Sequence, residues 1–390
     1  MSGKGPTPAG PGGRSVAVVG AGAFGGWAAW YLLRAGCQVT LVDAWGPGNS
    51  RASSGGDTRV MRHGYGDDVL YLRLAARSLE LFQEHERLWD TPLYDPTGVL
   101  WLVHDDDVAA RTSQRRFVEA AIPHRVLDRD ALAQEFPQLG LGDIRYGLLE
   151  ESAGILSARR SCAAVHDAFE AAGGRVVRAW AEPGALQGDQ LDALALSDGG
   201  RLEADAYVFA CGPWLGRVFP DLAPPSAPLV KPTRQEVFTF GVPPGDTQHV
   251  PPALPIWADQ GERFWYGIPG NLGRGFKMGD DTRGPEIDPT ADERVVSAAG
   301  LEAARAYLGQ RFPALVDAPL IESRVCCYEE SPDGDFLVDR HPAARNAWLL
   351  GGGSGHGFKH GPALGELLTQ CLLGERAPEA RFAIERFASA

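Results

Sequence analysis

The chain has 390 residues, of which 44% are hydrophobic and 22% charged, a globular balance that excludes a disordered or collagen-like chain. At about 150 residues per domain, this length predicts two or three domains. The net charge of −13 argues against nucleic acid as a partner, because a phosphate backbone is held by clustered positive charge.

The Cys residues form no C-x-x-C pair, and six in this length are too few for a disulfide scaffold. A reducing, cytoplasmic setting is expected. No run of 18 apolar residues occurs, so no membrane-spanning helix is predicted. Residues 1–14 are rich in Gly and Pro and read as a flexible tail.

Val16–Gly20 reads as an apolar strand, Ala23–Ala35 as a helix and Gln38–Asp43 as a second strand ending in an acid. That is a βαβ unit. Val69–Trp89 reads as an amphipathic helix with Leu70, Leu74 and Leu81 on one face. Leu93–Val103 is strand-like around the turn Asp95-Pro96-Thr97-Gly98, and Ala158–Ala172 is a helix capped by Gly173-Gly174. Further strands are expected at Arg175–Ala179, Ala206–Ala210, Gln235–Phe240, Phe264–Pro269, Gly275–Gly279, Arg324–Tyr328, Phe336–Asp339 and Trp348–Gly351. A helix over Gly361–Leu373 closes the chain. The pattern predicts an α/β class, α+β overall: a Rossmann-type nucleotide domain built from discontinuous segments, and a β-rich second domain between them. The expected division is 15–94, 152–224 and 324–390 for the first, and 95–151 and 225–323 for the second.

Gly20-Ala21-Gly22-Ala23-Phe24-Gly25 fits G-x-G-x-x-G between that strand and helix. Gly20 permits a tight turn, Gly22 lets backbone approach a pyrophosphate, and Gly25 allows close helix–strand packing. The helix start offers free N–H groups to phosphates. Asp43 can accept from both ribose hydroxyls and would repel a 2′-phosphate, which argues against NADP. The motif alone does not separate FAD from NAD.

Other features admit two readings each. The strand before Cys211 and Gly212 either approaches the dinucleotide or is simply buried. Arg59 and Arg62 either grip a carboxylate or a flavin edge, or are surface groups. Lys277, between Phe276 and Met278, is either a desolvated functional amine or an edge-strand Lys reaching solvent. Cys326 and Tyr328 share one strand face and Cys327 the other. Gly351–Phe358, with five glycines in its first seven residues, ends at Lys359. A cation there, at a helix start, is unfavourable unless it meets an anion.

In this order, GAGAFG with Asp43, GDTRVMRHGYG at 56–66, ACGPW at 210–214, FKMG at 276–279, RVCCY at 324–328 and GSGHGFK at 353–359 resemble the monomeric sarcosine oxidase and N-methyltryptophan oxidase family of D-amino-acid-oxidase-like flavoproteins. The resemblance spans about Ser15 to Leu373. It implies FAD, attached covalently through Cys326. It implies that Lys277 activates oxygen, that Arg62 and Lys359 clamp the substrate carboxylate, and that Arg59 lies near the flavin. Tyr266 and Tyr328 would line the site. Cofactor contacts are expected from Gly20, Gly22, Ala23, Phe24, Gly25, Asp43, Ser53, Thr58, Arg59, Val177, Cys211, Gly212, Trp214, Gly355, His356, Gly357, Phe358 and Lys359. Two departures stand out. Ser54 and Gly55 replace a His pair, and Asp281 replaces a His four residues past the Lys, which adds negative charge near the pocket.

The expected activity is oxidation of a secondary amino acid, N-methyl or cyclic, or a related amine, by a monomer using O2 and yielding an imine and H2O2. The alternatives are a flavin dehydrogenase with another acceptor, an NAD-dependent dehydrogenase, and a non-catalytic dinucleotide-binding regulator.

Overall fold

A computed structural model of the chain describes residues 13–105, 108–220 and 229–387. The expected flexible tail lies almost wholly outside them. Two large sheets dominate. The first runs, in spatial order, Leu337–His341, Ala344–Gly351, Ala206–Phe209, Ser15–Val19, Gln38–Val42 and Arg175–Val177. All its pairings are parallel except that of Leu337–His341 with Ala344–Gly351. Its central strands are buried on both faces, as their unbroken Val, Leu and Ala runs require.

Helix Ala23–Arg34 follows the first strand, and two glycines set its seat. A Cβ at Gly25 would lie 1.8 Å from the Gly20 carbonyl oxygen, and one at Gly20 (φ +106°) 2.2 Å from that of Ala210. Helix Gly361–Leu373 crosses closely over it, since a Cβ at Gly365 would sit 2.7 Å from the Trp27 backbone. Helix Val69–Trp89 has the expected bounds; Leu81 is buried and Leu70 and Leu74 pack half-buried against the core, beside a fully buried stripe of Tyr71, Ala75, Ser78, Phe82 and His85. The aromatic residues win the core because Trp27 and Trp30 face them across the helix pair.

The second sheet has eight strands, in the order Leu320–Glu330, Lys231–Phe240, Phe276–Asp280, Phe264–Ile268, Ile256–Gln260, Val99–Val103, Tyr146–Glu150 and His124–Asp128. It is antiparallel except where Ile256–Gln260 meets Val99–Val103. Helix Ala298–Arg311 closes one face over Phe238, Phe276, Trp257 and Phe312. Strand Phe276–Asp280 is interior, with Lys277 opposite Thr239 and Ile268. The edge-strand alternative for Lys277 is therefore excluded. Lys359 lies in a 3-10 turn, Phe358–His360, that leads into the last helix. A three-stranded sheet of Thr58–Met61, Gly154–Ser157 and Tyr94–Asp95 carries Arg59 into the region between the large sheets.

Candidate active site

The first cleft opens at the C-terminal ends of the parallel strands, where ligands of such sheets bind. It holds about 1040 Å³ of open space. Gly20, Gly22, Ala23, Phe24, Asp43, Ser53, Arg59, Cys211, Gly212, Trp214, Gly355, Gly357 and Phe358 line it. Helix Ala23–Arg34 begins at Gly22 with no side-chain cap and no acid in its first turn. Its first N–H groups are left for a ligand. The Asp43 carboxylate accepts N–H bonds from Ala21 and Trp45, each at 2.8 Å. Two hydroxyl oxygens, Ser53 Oγ and Ser54 Oγ, are buried without a hydrogen-bond partner among the described residues. The Gly22 cradle would be filled by any side chain reaching toward Ser54 Oγ, 3.2 Å from a Cβ placed there. Orphaned hydroxyls beside an uncapped helix start fit the pyrophosphate and ribose oxygens of a dinucleotide.

Trp45, Trp180 and Trp214 form an aromatic cluster on the same cleft, Trp45 and Trp214 with ring centroids 4.9 Å apart. Of these only Trp214 is expected from sequence. Trp45 stands two residues past Asp43, and that spacing was the available signal.

A second cavity, about 1630 Å³, shares Ser53, Arg59, Tyr328, Gly355 and Phe358 with the first. Thr58, Arg62, Tyr266, Lys277, Cys326, His356 and Lys359 line it. Arg62 lies over the Tyr65 ring at 4.5 Å and over Trp101 at 5.3 Å; the Lys359 amine is 5.1 Å from the Tyr65 ring centre. Lys359 is 4% exposed and donates to the His356 carbonyl at 2.8 Å. Burial, then the Arg62 charge, holds its amine well below the usual lysine range. An anion placed between Arg62 and Lys359 would relieve both effects. The Tyr65 hydroxyl lies 3.1 Å from His356 Nδ1 and 2.8 Å from His360 Nε2. Burial pushes both imidazoles well below their ordinary value, so they are neutral.

Lys277 Nζ donates to the Thr58 carbonyl at 3.1 Å and lies 3.2 Å from its Oγ1. Desolvation first, then Arg59, lowers its pKa to about 7. The Arg59 guanidinium donates to the carbonyls of Thr58, Ser53 and Gly55 and lies over Phe358. Along strand Leu320–Glu330, Arg324, Cys326 and Tyr328 face the cavity. Val325 and Cys327 are buried on the other face, and Arg294 donates to the Cys327 sulfur at 3.5 Å. Cys326 and Cys327 are both free thiols.

Asp281 does not add an unbalanced charge. Arg283 pairs with it at 2.9 Å, and the Tyr328 hydroxyl donates to it at 2.8 Å. Arg283 also lies over the Tyr328 ring and pairs with Glu330. Burial raises Tyr328 well above, and Tyr266 clearly above, the ordinary tyrosine value. Both stay protonated donors. Nothing in the sequence alone tied Arg283 to the site, because the pairing needs the loop after Asp280 to fold back.

Two expected cofactor residues line neither cavity. Val177 gives its carbonyl to the Asp43 N–H at 3.1 Å, and Gly25 packs against Gly20. Both act one step behind the cleft wall. Thr58, Cys326, His356 and Lys359 line only the second cavity.

Residues 15–371 match the family described as FAD dependent oxidoreductase. The chain is 30% identical over 369 residues to a monomeric sarcosine oxidase of Bacillus sp. (strain B-0618), covering 92% of each. It is 27% identical to an N-methyl-L-tryptophan oxidase of Salmonella heidelberg (strain SL476), covering 92% of this chain and 94% of the relative. Among solved structures, L-proline dehydrogenase from P.horikoshii superposes with a TM-score of 0.82 at 18% identity, over 97% of this chain and 99% of that one. That likeness speaks to the fold alone.

Proposed function

The chain belongs to the family of FAD dependent oxidoreductases, and from that premise we propose that it is an oxidase of a secondary (N-methyl or cyclic) amino acid or a related amine. One observation carries the reading. Two basic side chains with no ion-pair partner among the described residues, Arg62 and Lys359, flank one aromatic ring in a cavity that opens onto the dinucleotide cleft. A carboxylate fits between them.

In this reading the parallel-sheet segments 15–94, 152–224 and 324–390 hold FAD, and 95–151 with 225–323 hold the substrate. Strand Leu320–Glu330 spans the last boundary and carries Cys326, the proposed thioether site, to the cofactor. Bound FAD would accept a hydride equivalent from the substrate carbon next to nitrogen and pass two electrons to O2, giving an imine and H2O2. Arg62 and Lys359 fix the carboxylate and so aim that C–H bond. Tyr266 and Tyr328, both protonated, close the aromatic wall. Asp281, neutralised by Arg283, leaves the pocket without a net repulsive charge. The cations Arg59 and Lys277 supply positive field where reduced cofactor and then oxygen carry negative charge. Lys277 is the group that favours oxygen over a carrier as acceptor.

The test is a spectrum of purified protein before and after acid precipitation, then anaerobic addition of N-methyl and cyclic amino acids. Yellow colour staying in the pellet supports the thioether. Bleaching by a member of the panel identifies the substrate class. A protein that stays colourless with ample riboflavin overturns the proposal.

A further inference from the structure

Glu329 is a buried carboxyl group that this mechanism does not use. It is the penultimate residue of strand Leu320–Glu330, lines the dinucleotide cleft and is 8% exposed. Its carboxyl lies between the two glycine loops that follow parallel strands Ala206–Phe209 and Ala344–Gly351. A Cβ at Gly212 would be 3.3 Å from Oε2, and one at Gly353 2.5 Å from Oε1. Both loops leave room for this one group. Among the described residues Oε2 has no hydrogen-bond partner.

The surrounding charges do not stabilise an anion there. Neighbouring Glu330 is itself an acid and is paired with Arg283 at 3.1 Å. Asp43, also on the cleft, is engaged by backbone N–H groups, and the Cys211 thiol is neutral, pushed up by burial. Arg59 is the one basic residue among the described residues lining the cleft. Its guanidinium is spent on three carbonyls. Burial raises the Glu329 carboxyl to about 7, opposed by the Gly353 backbone N–H and reinforced by Glu330.

A dinucleotide brings pyrophosphate charge and oxygen acceptors into this cleft. A carboxylate would set acceptor against acceptor and anion against anion; the acid form presents a donor. We infer that Glu329 holds the cofactor as a neutral carboxylic acid, donating its proton to an oxygen of FAD, so that loss of this proton weakens the hold. The inference rests on the FAD reading and adds to it a pH-dependent cofactor contact.

The experiment uses the full chain carrying Cys326→Ala, in which no thioether can make binding irreversible. FAD is titrated into the flavin-free protein from about pH 5.5 to about pH 9, with binding read from flavin fluorescence. Kd is expected to be level below about pH 7 and to rise about tenfold per pH unit above it. Adding Glu329→Gln, which keeps an N–H donor without the titration, should flatten the profile. A level profile with Glu329 intact overturns the inference without needing any variant at 329, and so does an unchanged slope in the Gln variant. FAD binding at no pH overturns the cofactor reading itself; binding with a level profile overturns only the role of Glu329.

Discussion

In the proposed reading, Lys277 and Tyr65 are the single side chains whose surroundings bear most directly on the chemistry. The Lys277 amine hydrogen-bonds Thr58 and sits near Arg59, which together with burial brings its pKa to about 7. It is a cation below that pH and neutral above it. The rate of reoxidation by O2 is therefore expected to fall as pH rises through about 7, measured by stopped-flow mixing of reduced enzyme with oxygen. Lys277→Met should slow reoxidation far more than anaerobic reduction by substrate, and should remove that pH dependence. Equal losses in the two half-reactions would refute an oxygen-directed role. Tyr65 acts by its ring face, which Arg62 and Lys359 both approach. Cation–π contacts contribute about 0.5–1 kcal/mol at exposed sites and about 2 kcal/mol or more when desolvated. Tyr65→Leu should raise KM by about tenfold, with a smaller change in kcat. Tyr65→Phe, which keeps the ring and loses the hydroxyl between His356 and His360, should stay close to the parent in KM.

At the level of elements, the helix Ala23–Arg34 can serve a dinucleotide only because it presses onto the strand before it. A Cβ at Gly25 would collide with the Gly20 carbonyl at 1.8 Å. Overpacking of this kind costs about 1–3 kcal/mol. Gly25→Ala should therefore lower the thermal midpoint and reduce the flavin-to-protein ratio of the purified chain. A variant with full flavin content and parent stability would contradict the close-packing role. This unit was legible in the sequence because short-range rules govern it: apolar strand, glycines, helix and acid follow one another within the first 43 residues. Helix Gly361–Leu373 was legible for the same reason. Strand Ile256–Gln260 was not. Its buried Asp259 breaks the apolar pattern and is explained by Arg311 and Tyr307 from a distant helix and by His104. Helix Ala298–Arg311 was hidden by Gly300 and Gly309 inside it. The site divides likewise. Residues within motifs could be named from the chain alone. Trp180, Glu329 and Arg283 reach it through tertiary packing that no local pattern encodes.

Across the whole molecule, the cavity exists because two sheets of different kinds meet, and its floor is tied down by a buried ionic cluster. Arg311, at the end of helix Ala298–Arg311, donates to Asp259 at 2.7 Å, both side chains 2% exposed. The Tyr307 hydroxyl donates to the same oxygen at 2.7 Å, and the His104 imidazole lies 2.5 Å from the other. Asp259 directly follows Trp257 and Ala258, both of which line the second cavity. The cluster therefore pins the helix to the strand that forms the cavity wall. Removing one partner of a buried pair leaves an uncompensated charge and costs about 3–5 kcal/mol. Arg311→Met should lose about that much stability in chemical denaturation. Arg311→Met combined with Asp259→Leu should recover most of it, because the charge left behind is then gone. Of the second sheet, only strand Leu320–Glu330 lines the dinucleotide cleft among the described residues, and Asp259 sits four strands away from it, so flavin content should survive the single substitution while KM for the amine rises. A loss of flavin equal to the loss of substrate affinity would show that the Asp259 cluster supports the cleft as well as the second cavity.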